Sequence, residues 1–174
     1  EDFADGGKIC VVLGDNIIQH DIRGPVGAFF TQPTGAKVLL KEVGDPERFG
    51  VPRLEGDRVV EIIEKPSDPP SRYAVTGIYL YDNDVFDIVR TLEPSGRGEL
   101  EITDLNNRYL EAGGLYLEKL GRGTAWLDTG THESLMQAGN FIETIEQRQG
   151  LKICCPEEVA FQRGWIDADQ LREV

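Results

Sequence analysis

From Ile9 to Leu13 the chain runs ICVVL, five apolar residues without a break, and then meets Gly14, Asp15 and Asn16. An antiparallel strand with one wet face alternates apolar and polar residues, whereas a continuous run suits a strand covered on both faces, as in a parallel α/β sheet. In such sheets ligands collect beyond the carboxyl ends of the strands. Asp15 stands at such an end. Gly, Asp and Asn are also ordinary turn formers, so the position fits a plain turn as well as a ligand site.

The rest of the chain mixes strand and helix patterns. After the first strand (8–14), residues 15–35 read as a loop or short helix broken by Gly24, Pro25, Pro33 and Gly35. AKVLLKEV (36–43) is a strand, and 51–66 is a hairpin around Gly56-Asp57. YAVTGIYLYD (73–82) is a further strand. Asn83 is placed to cap a helix whose apolar face is Val85, Val89 and Leu92. A second helix spans about 101–112 with Ile102, Leu105 and Tyr109 on one face. Strands follow at 115–120 and 123–128. The longest helix covers 131–149, with Leu135, Ala138, Ile142 and Ile145 at the spacing of a buried stripe. Two short helical patterns fill 156–174. The class is α/β with some antiparallel content.

Charge narrows the function. At 174 residues and 40% hydrophobic, the chain is long enough for one domain with a sizeable core. Its net charge is −13 and it has no dense Lys/Arg run, which argues against a nucleic-acid partner and against an anionic membrane surface. An anionic ligand must then be met by a few placed cations or a metal. Three cysteines, Cys10, Cys154 and Cys155, form no Cys-x-x-Cys and suggest a reducing compartment. His20 and His132 are too far apart in sequence to support a zinc site. No stretch approaches the ~20 apolar residues of a membrane span.

Four places carry candidate chemistry, each with a plainer reading. Asp15 ends the first strand. In ERFGV (47–51), Gly50 supplies either a close approach or only a backbone angle. In EIIEKP, Glu64 and Lys65 stand side by side at a strand end and also fit a solvated ion pair. In GTAWLDTGTHESL, Asp128 follows Trp126 and precedes a helix, which it could simply introduce while Thr129 or Thr131 caps. Together they suggest more. Magnesium is held by one or two carboxylates plus substrate phosphates. A lysine adds a point charge for phosphate, and an ionised glutamate accepts from sugar hydroxyls. Trp126 and Tyr79 can pack on a sugar's apolar face. That set suits phosphoryl or nucleotidyl transfer, where positioning and charge neutralisation dominate.

VVLGDNI, DPERFGV, EIIEKP, YAVTGIYLYDNDVFD, GRGELEITDLNN and the long segment from Gly123 to Phe161 closely resemble the glucose-1-phosphate thymidylyltransferases of the sugar nucleotidyltransferase family. The resemblance implies a Rossmann-like mixed, mainly parallel sheet flanked by helices. It implies transfer of a deoxythymidylyl group from dTTP to glucose 1-phosphate, giving dTDP-glucose and pyrophosphate for deoxysugar (rhamnose-type) precursors. Asp15 and Asp128 would hold Mg2+. Asp15, Lys65 and Asp128 would be catalytic, with Gly50, Glu64, Lys65 and Val75 contacting the sugar nucleotide and Tyr79 and Trp126 lining the glucose side. The family forms homo-oligomers through its later helices, and a cytoplasmic setting is implied.

Two departures stand beside the resemblance. The family opens on a Gly-rich loop of the form G-G-x-G-T-R, with a catalytic Arg, and this chain contains none. At ~30 residues per βα unit, roughly 60–100 upstream residues are expected to be absent. The 174 residues are therefore expected to be one domain, the C-terminal portion of a nucleotidyltransferase domain. Its sheet part (about 1–130) would bind sugar and metal, about 131–174 would be helical, and the isolated chain would be inactive. In addition, 21–35 is short for the helix usual there, and Phe49 stands where Tyr is expected. A uridylyl- or cytidylyltransferase, and a non-catalytic sugar-nucleotide-binding or assembly module, remain as alternatives.

Overall fold

The computed structural model describes residues 2–19, 21–56, 58–96 and 98–173. His20 and Asp57, the latter half of the expected hairpin turn, lie outside the described residues. Two compact units divide the chain, Glu1–Leu127 and Asp128–Val174.

Strands β1 (Ile9–Val12) and β2 (Asn16–Gln19) precede helix α1 (Arg23–Thr31). Then come β3 (Ala36–Glu42), the hairpin strands β4 (Gly50–Glu55) and β5 (Arg58–Glu64), and β6 (Tyr73–Tyr81). Helices α2 (Val85–Arg90) and α3 (Ile102–Glu111) follow, and then β7 (Leu115–Lys119) and β8 (Ala125–Asp128). A four-stranded sheet has the order β1-β6-β3-β7, while β2 pairs with β8 and β4 with β5. The expected mixed sheet is present. Its parallel ladder is β3–β7, and β6 runs antiparallel to both β1 and β3.

β3 and β6 occupy the centre because both their faces are apolar. Val75, Tyr79 and Tyr81 of β6 face a cluster with Val59 and Ile62 of the hairpin, Val85 of α2, and Leu105 and Tyr109 of α3. Ile78 and Leu80 face the other side, with Phe29 of α1, Leu39 and Leu120. Between Val38 and Leu40 the register against β6 shifts, and the buried Thr76 hydroxyl donates to the Leu39 carbonyl there (3.0 Å). Asp82, just past β6, is a buried structural carboxylate. It accepts from the Gly35 amide and from the Tyr109 hydroxyl (2.7 Å), tying the start of β3 to α3. Gly35 has φ +100°, and a Cβ there would lie 2.3 Å from the Gly114 carbonyl oxygen, so only glycine lets these segments meet.

The reading of ICVVL as a strand covered on both faces is corrected. Ile9 and Val11 pack on the core, but Val12 is 53% exposed and Leu13 39% exposed. Among the described residues β1 lies at one end of the sheet order, and the α1 cluster includes no residue of β1. The double cover that a continuous apolar run implies belongs to β3 and β6 instead. Asn83 is not the cap of α2; Asp84 holds that place, and its backbone amide donates to Asp82 Oδ1 (3.2 Å). The segment read as loop or short helix contains β2 as well as α1.

The second unit holds α4 (His132–Gln149), α5 (Pro156–Gln162) and α6 (Ala168–Glu173). Thr131 caps α4 with a reciprocal pair: its side chain accepts from the Ser134 amide, while the Ser134 hydroxyl accepts from the Thr131 amide. Gly150 ends the helix in the left-handed conformation at φ +67°. The buried stripe begins at Ser134 and Ala138; Leu135, expected within it, is 56% exposed. Met136, Phe161 and Trp165 are exposed too.

Candidate active site

The sequence candidates of the first unit are joined by short contacts. Leu13 to Asn16 is a tight turn, closed by the Asn16 amide on the Leu13 carbonyl (3.2 Å). Asp15 sits in its middle, exposed to solvent, so the acidic residue at the strand exit is both a turn residue and a presented carboxylate. The turn is docked on Gly77 of β6. The Leu13 amide donates to the Gly77 carbonyl (2.9 Å), and the Gly77 amide donates to Asn16 Oδ1 (3.2 Å). The same oxygen accepts from Trp126 Nε1 (2.6 Å), and Asn16 Nδ2 donates to Asp15 Oδ1 (2.7 Å).

Trp126, in β8, meets Phe49 edge-on with ring centroids 5.0 Å apart. The Phe49 carbonyl in turn accepts from the Lys65 amide (2.9 Å). Lys65, the residue after β5, adopts φ +43°, an uncommon conformation for a residue with a side chain, worth roughly 1 kcal/mol or more of strain. Its Nζ lies 3.8 Å from Glu64 Oε1, with the glutamate side chain 27% exposed and that of the lysine 50%. Glu64 Oε2 is held from the other side by the Thr103 hydroxyl of α3 (2.5 Å). Gly50 pairs with Glu64 across the hairpin, and a Cβ on it would lie 3.3 Å from Thr103 Oγ1.

Tyr79 and Val75 are placed differently from the others. Tyr79 is 4% exposed and stacks on Tyr81 with centroids 6.1 Å apart, so its ring belongs to the core and offers no face to a sugar. Burial, then the carboxylates of Glu64 and Asp15, push its phenol well above the usual value, and it stays protonated. Both carboxylates therefore act electrostatically on this one side chain. The Val75 side chain is also in the core. Asp128 opens the second unit, where its Oδ1 accepts from the Gly130 amide (3.3 Å) and where Thr131, not Asp128, is the helix cap. Sequence reasoning missed Asn16 and Thr103 as site residues. In the sequence Asn16 signals only turn chemistry, and Thr103 gives no signal beyond its place at the start of a helix. A polar groove between the hairpin and α3, lined by Arg53, Arg58, Glu61 and Asn107 among others, contains none of the sequence candidates.

The chemistry of the donors fits a hard divalent cation: carboxylate oxygens, with soft ligands elsewhere. Among the described residues no three or more His, Cys, Asp or Glu converge as a protein-only metal cage. Magnesium needs no such cage, since it keeps waters and takes substrate phosphates beside one or two carboxylates.

The first unit thus carries a carboxylate on a turn at a strand exit, a Glu-Lys pair at the end of the hairpin, and an indole joined to both by the contacts above. The chain belongs to the nucleotidyl transferase family, whose sequence model matches residues 1–145. It is 55% identical over 175 residues to a glucose-1-phosphate thymidylyltransferase of Xanthomonas campestris pv. campestris (strain B100), covering 99% of this chain and 59% of that protein. It is 47% identical over 176 residues to the protein of that name from Neisseria meningitidis, covering 100% and 61%. Among solved structures it resembles a Bacillus anthracis protein, provisionally named a glucose-1-phosphate thymidylyltransferase and crystallised with sucrose. That match has a TM-score of 0.75 and 51% identity, over 80% of this chain and 56% of that one. A UDP-glucose pyrophosphorylase complexed with UDP-glucose shares the fold, with a TM-score of 0.66 at 24% identity over 82% and 59%. The chain thus spans about three-fifths of the length of the curated relatives it matches.

Proposed function

We propose that this chain carries the sugar- and metal-binding part of a glucose-1-phosphate thymidylyltransferase, which joins dTTP and glucose 1-phosphate into dTDP-glucose and pyrophosphate for deoxysugar precursor synthesis. The observation that carries the reading is the Glu64-Lys65 pair, with the ammonium 3.8 Å from Oε1 and Oε2 buttressed by the Thr103 hydroxyl. A carboxylate acceptor for sugar hydroxyls and an ammonium for the adjoining phosphate are what a sugar phosphate requires. With Oε2 engaged by Thr103, Glu64 keeps Oε1 for the sugar. Trp126 offers its ring edge and its partly exposed face to the hexose, Gly50 leaves room beside Glu64, and Val75 contributes main chain only. Tyr79 acts through a neutral hydroxyl.

In the reaction an oxygen of the sugar phosphate attacks the α-phosphorus of dTTP, the bond to the β-phosphate breaks, and pyrophosphate leaves. No side chain serves as nucleophile. Lys65 offsets charge on the sugar phosphate, and Asp15 and Asp128 are assigned as the carboxylates for Mg2+. The ion supplies Lewis-acid neutralisation of phosphate charge. The relatives' names support the substrates, and the exposed apolar residues Leu135, Met136, Phe161 and Trp165 support assembly of like copies through the second unit. Three free cysteines fit a reducing, cytoplasmic setting. Among the described residues no helix is long and apolar enough to cross a membrane.

The test is pyrophosphate release by the full-length gene product with magnesium and glucose 1-phosphate, supplied with dTTP, UTP or CTP in turn. Release is expected with dTTP foremost. No release with dTTP, or equal release without the sugar phosphate, would overturn the reading.

A further inference from the structure

We infer that Asn16 is a positioning residue, which ties the Asp15 carboxylate to the Trp126 indole and to the backbone of β6 so that the phosphate side and the sugar side of the site keep one geometry. The inference rests on the function proposed above. It comes from the polarity of the groups that surround one side chain. The Trp126 indole N–H and the Gly77 amide can only donate, and both point at Asn16 Oδ1 (2.6 and 3.2 Å). An ionised Asp15 can only accept, and it takes Asn16 Nδ2 (2.7 Å). A side chain here must therefore present an acceptor and a donor from a single planar carbon. An amide does so; a carboxylate or an alkyl group of the same size does not. The three partners also fix which end of the amide is oxygen.

Space enforces the same choice. A Cβ on Gly77 would lie 2.4 Å from Asn16 Nδ2 and 2.6 Å from its Cγ, so the amide lies flat against the bare main chain of β6. Glycine in a central strand otherwise weakens it and commonly marks such a close approach. From Asn16 the chain of contacts continues through Trp126 and Phe49 to the Lys65 amide. Asn16 is thus the junction between a carboxylate presented on a turn and the aromatic pair beside the Glu-Lys pair. Displacing reacting groups by about 1 Å can cost on the order of 100-fold in rate.

Two measurements test this. The first needs no activity: the 1H–15N resonance of the Trp126 indole, read in the metal-free full-length gene product and assigned by its loss in Trp126→Phe. A protected indole proton is expected in the parent chain. Faster solvent exchange and a shifted resonance are expected in Asn16→Ala, and in Gly77→Ala, which leaves the amide chemistry intact and removes its space. The second is turnover by the full-length gene product. Asn16→Asp keeps both acceptor contacts and replaces the donation to Asp15 by a second carboxylate that repels it. It should lower kcat by about 10- to 100-fold with less than about twofold change in the KM for glucose 1-phosphate. A residue needed only for folding would shift the urea midpoint and leave kcat per folded molecule intact. Parent-like kcat in Asn16→Asp, an unchanged Trp126 signal in Asn16→Ala, or failure of all three variants to fold would each overturn the inference. Absence of turnover in the parent protein would instead defeat the proposed function, while the indole signal still decides whether the tie exists.

Discussion

Replacing Thr103 by valine isolates one hydrogen bond of the candidate site. Thr103 is 5% exposed, and its hydroxyl donates to Glu64 Oε2 at 2.5 Å. Valine keeps the shape and puts a methyl group against a carboxylate oxygen. A hydrogen bond to a charged group is worth roughly 1.5–3 kcal/mol when buried. The Glu64 side chain is 27% exposed, so water can replace part of the loss, and about 1 kcal/mol is the expected cost to folding. Glu64 also gains rotamers, because Lys65, at 3.8 Å from Oε1, holds it only loosely. About 1 kcal/mol of lost preorganisation corresponds to roughly a fivefold rise in the KM for glucose 1-phosphate, with the KM for dTTP little changed. The assay is a paired one: urea unfolding for stability, and pyrophosphate release with each substrate varied in turn. Thr103→Ser restores the hydroxyl and should recover most of the loss. If Thr103→Val leaves the sugar-phosphate KM unaltered, or if Thr103→Ser is as impaired as Thr103→Val, Thr103 does not orient Glu64 and the division of the two carboxylate oxygens is wrong.

Two further outcomes follow from the packing. Thr131→Ala removes the cap of α4 and should cost about 1 kcal/mol, read as faster amide exchange in residues 132–135; unchanged exchange there would contradict the reciprocal pairing with Ser134. Tyr79 and Tyr81 have phenols held up chiefly by burial, so the folded state keeps their protons longer than the unfolded state does. Their contribution is complete below the unfolded value of about 10 and is lost as pH rises through it towards the folded values, by up to ~1.4 kcal/mol per pH unit for each phenol. Phenolate absorbance from this pair should rise together with loss of circular dichroism, and reversible phenolate formation in a still-folded chain would refute the burial.

What the sequence determined by itself is the set of elements and the chemistry they carry. The hairpin 51–66, the strand 73–82 and the helices near 101–112 and 131–149 were legible because periodicity and turn formers are local properties, and Asp15, Glu64, Lys65 and Trp126 stood out as candidates by residue type and place along the chain. The structure decided which apolar strands are covered. A run of apolar residues is the same string at a sheet edge as at its centre, so ICVVL and AKVLLKE could not be told apart, although only the second is buried on both sides. It also set the Tyr79 ring in the core, stacked on Tyr81 two residues along the same face of β6. Asn16 and Thr103 were out of reach for a related reason. Their partners lie far along the chain, 110 residues away for Asn16 and Trp126 and 39 for Thr103 and Glu64. A hydrogen bond between such residues exists only after the sheet has assembled, and nothing in the local pattern records it.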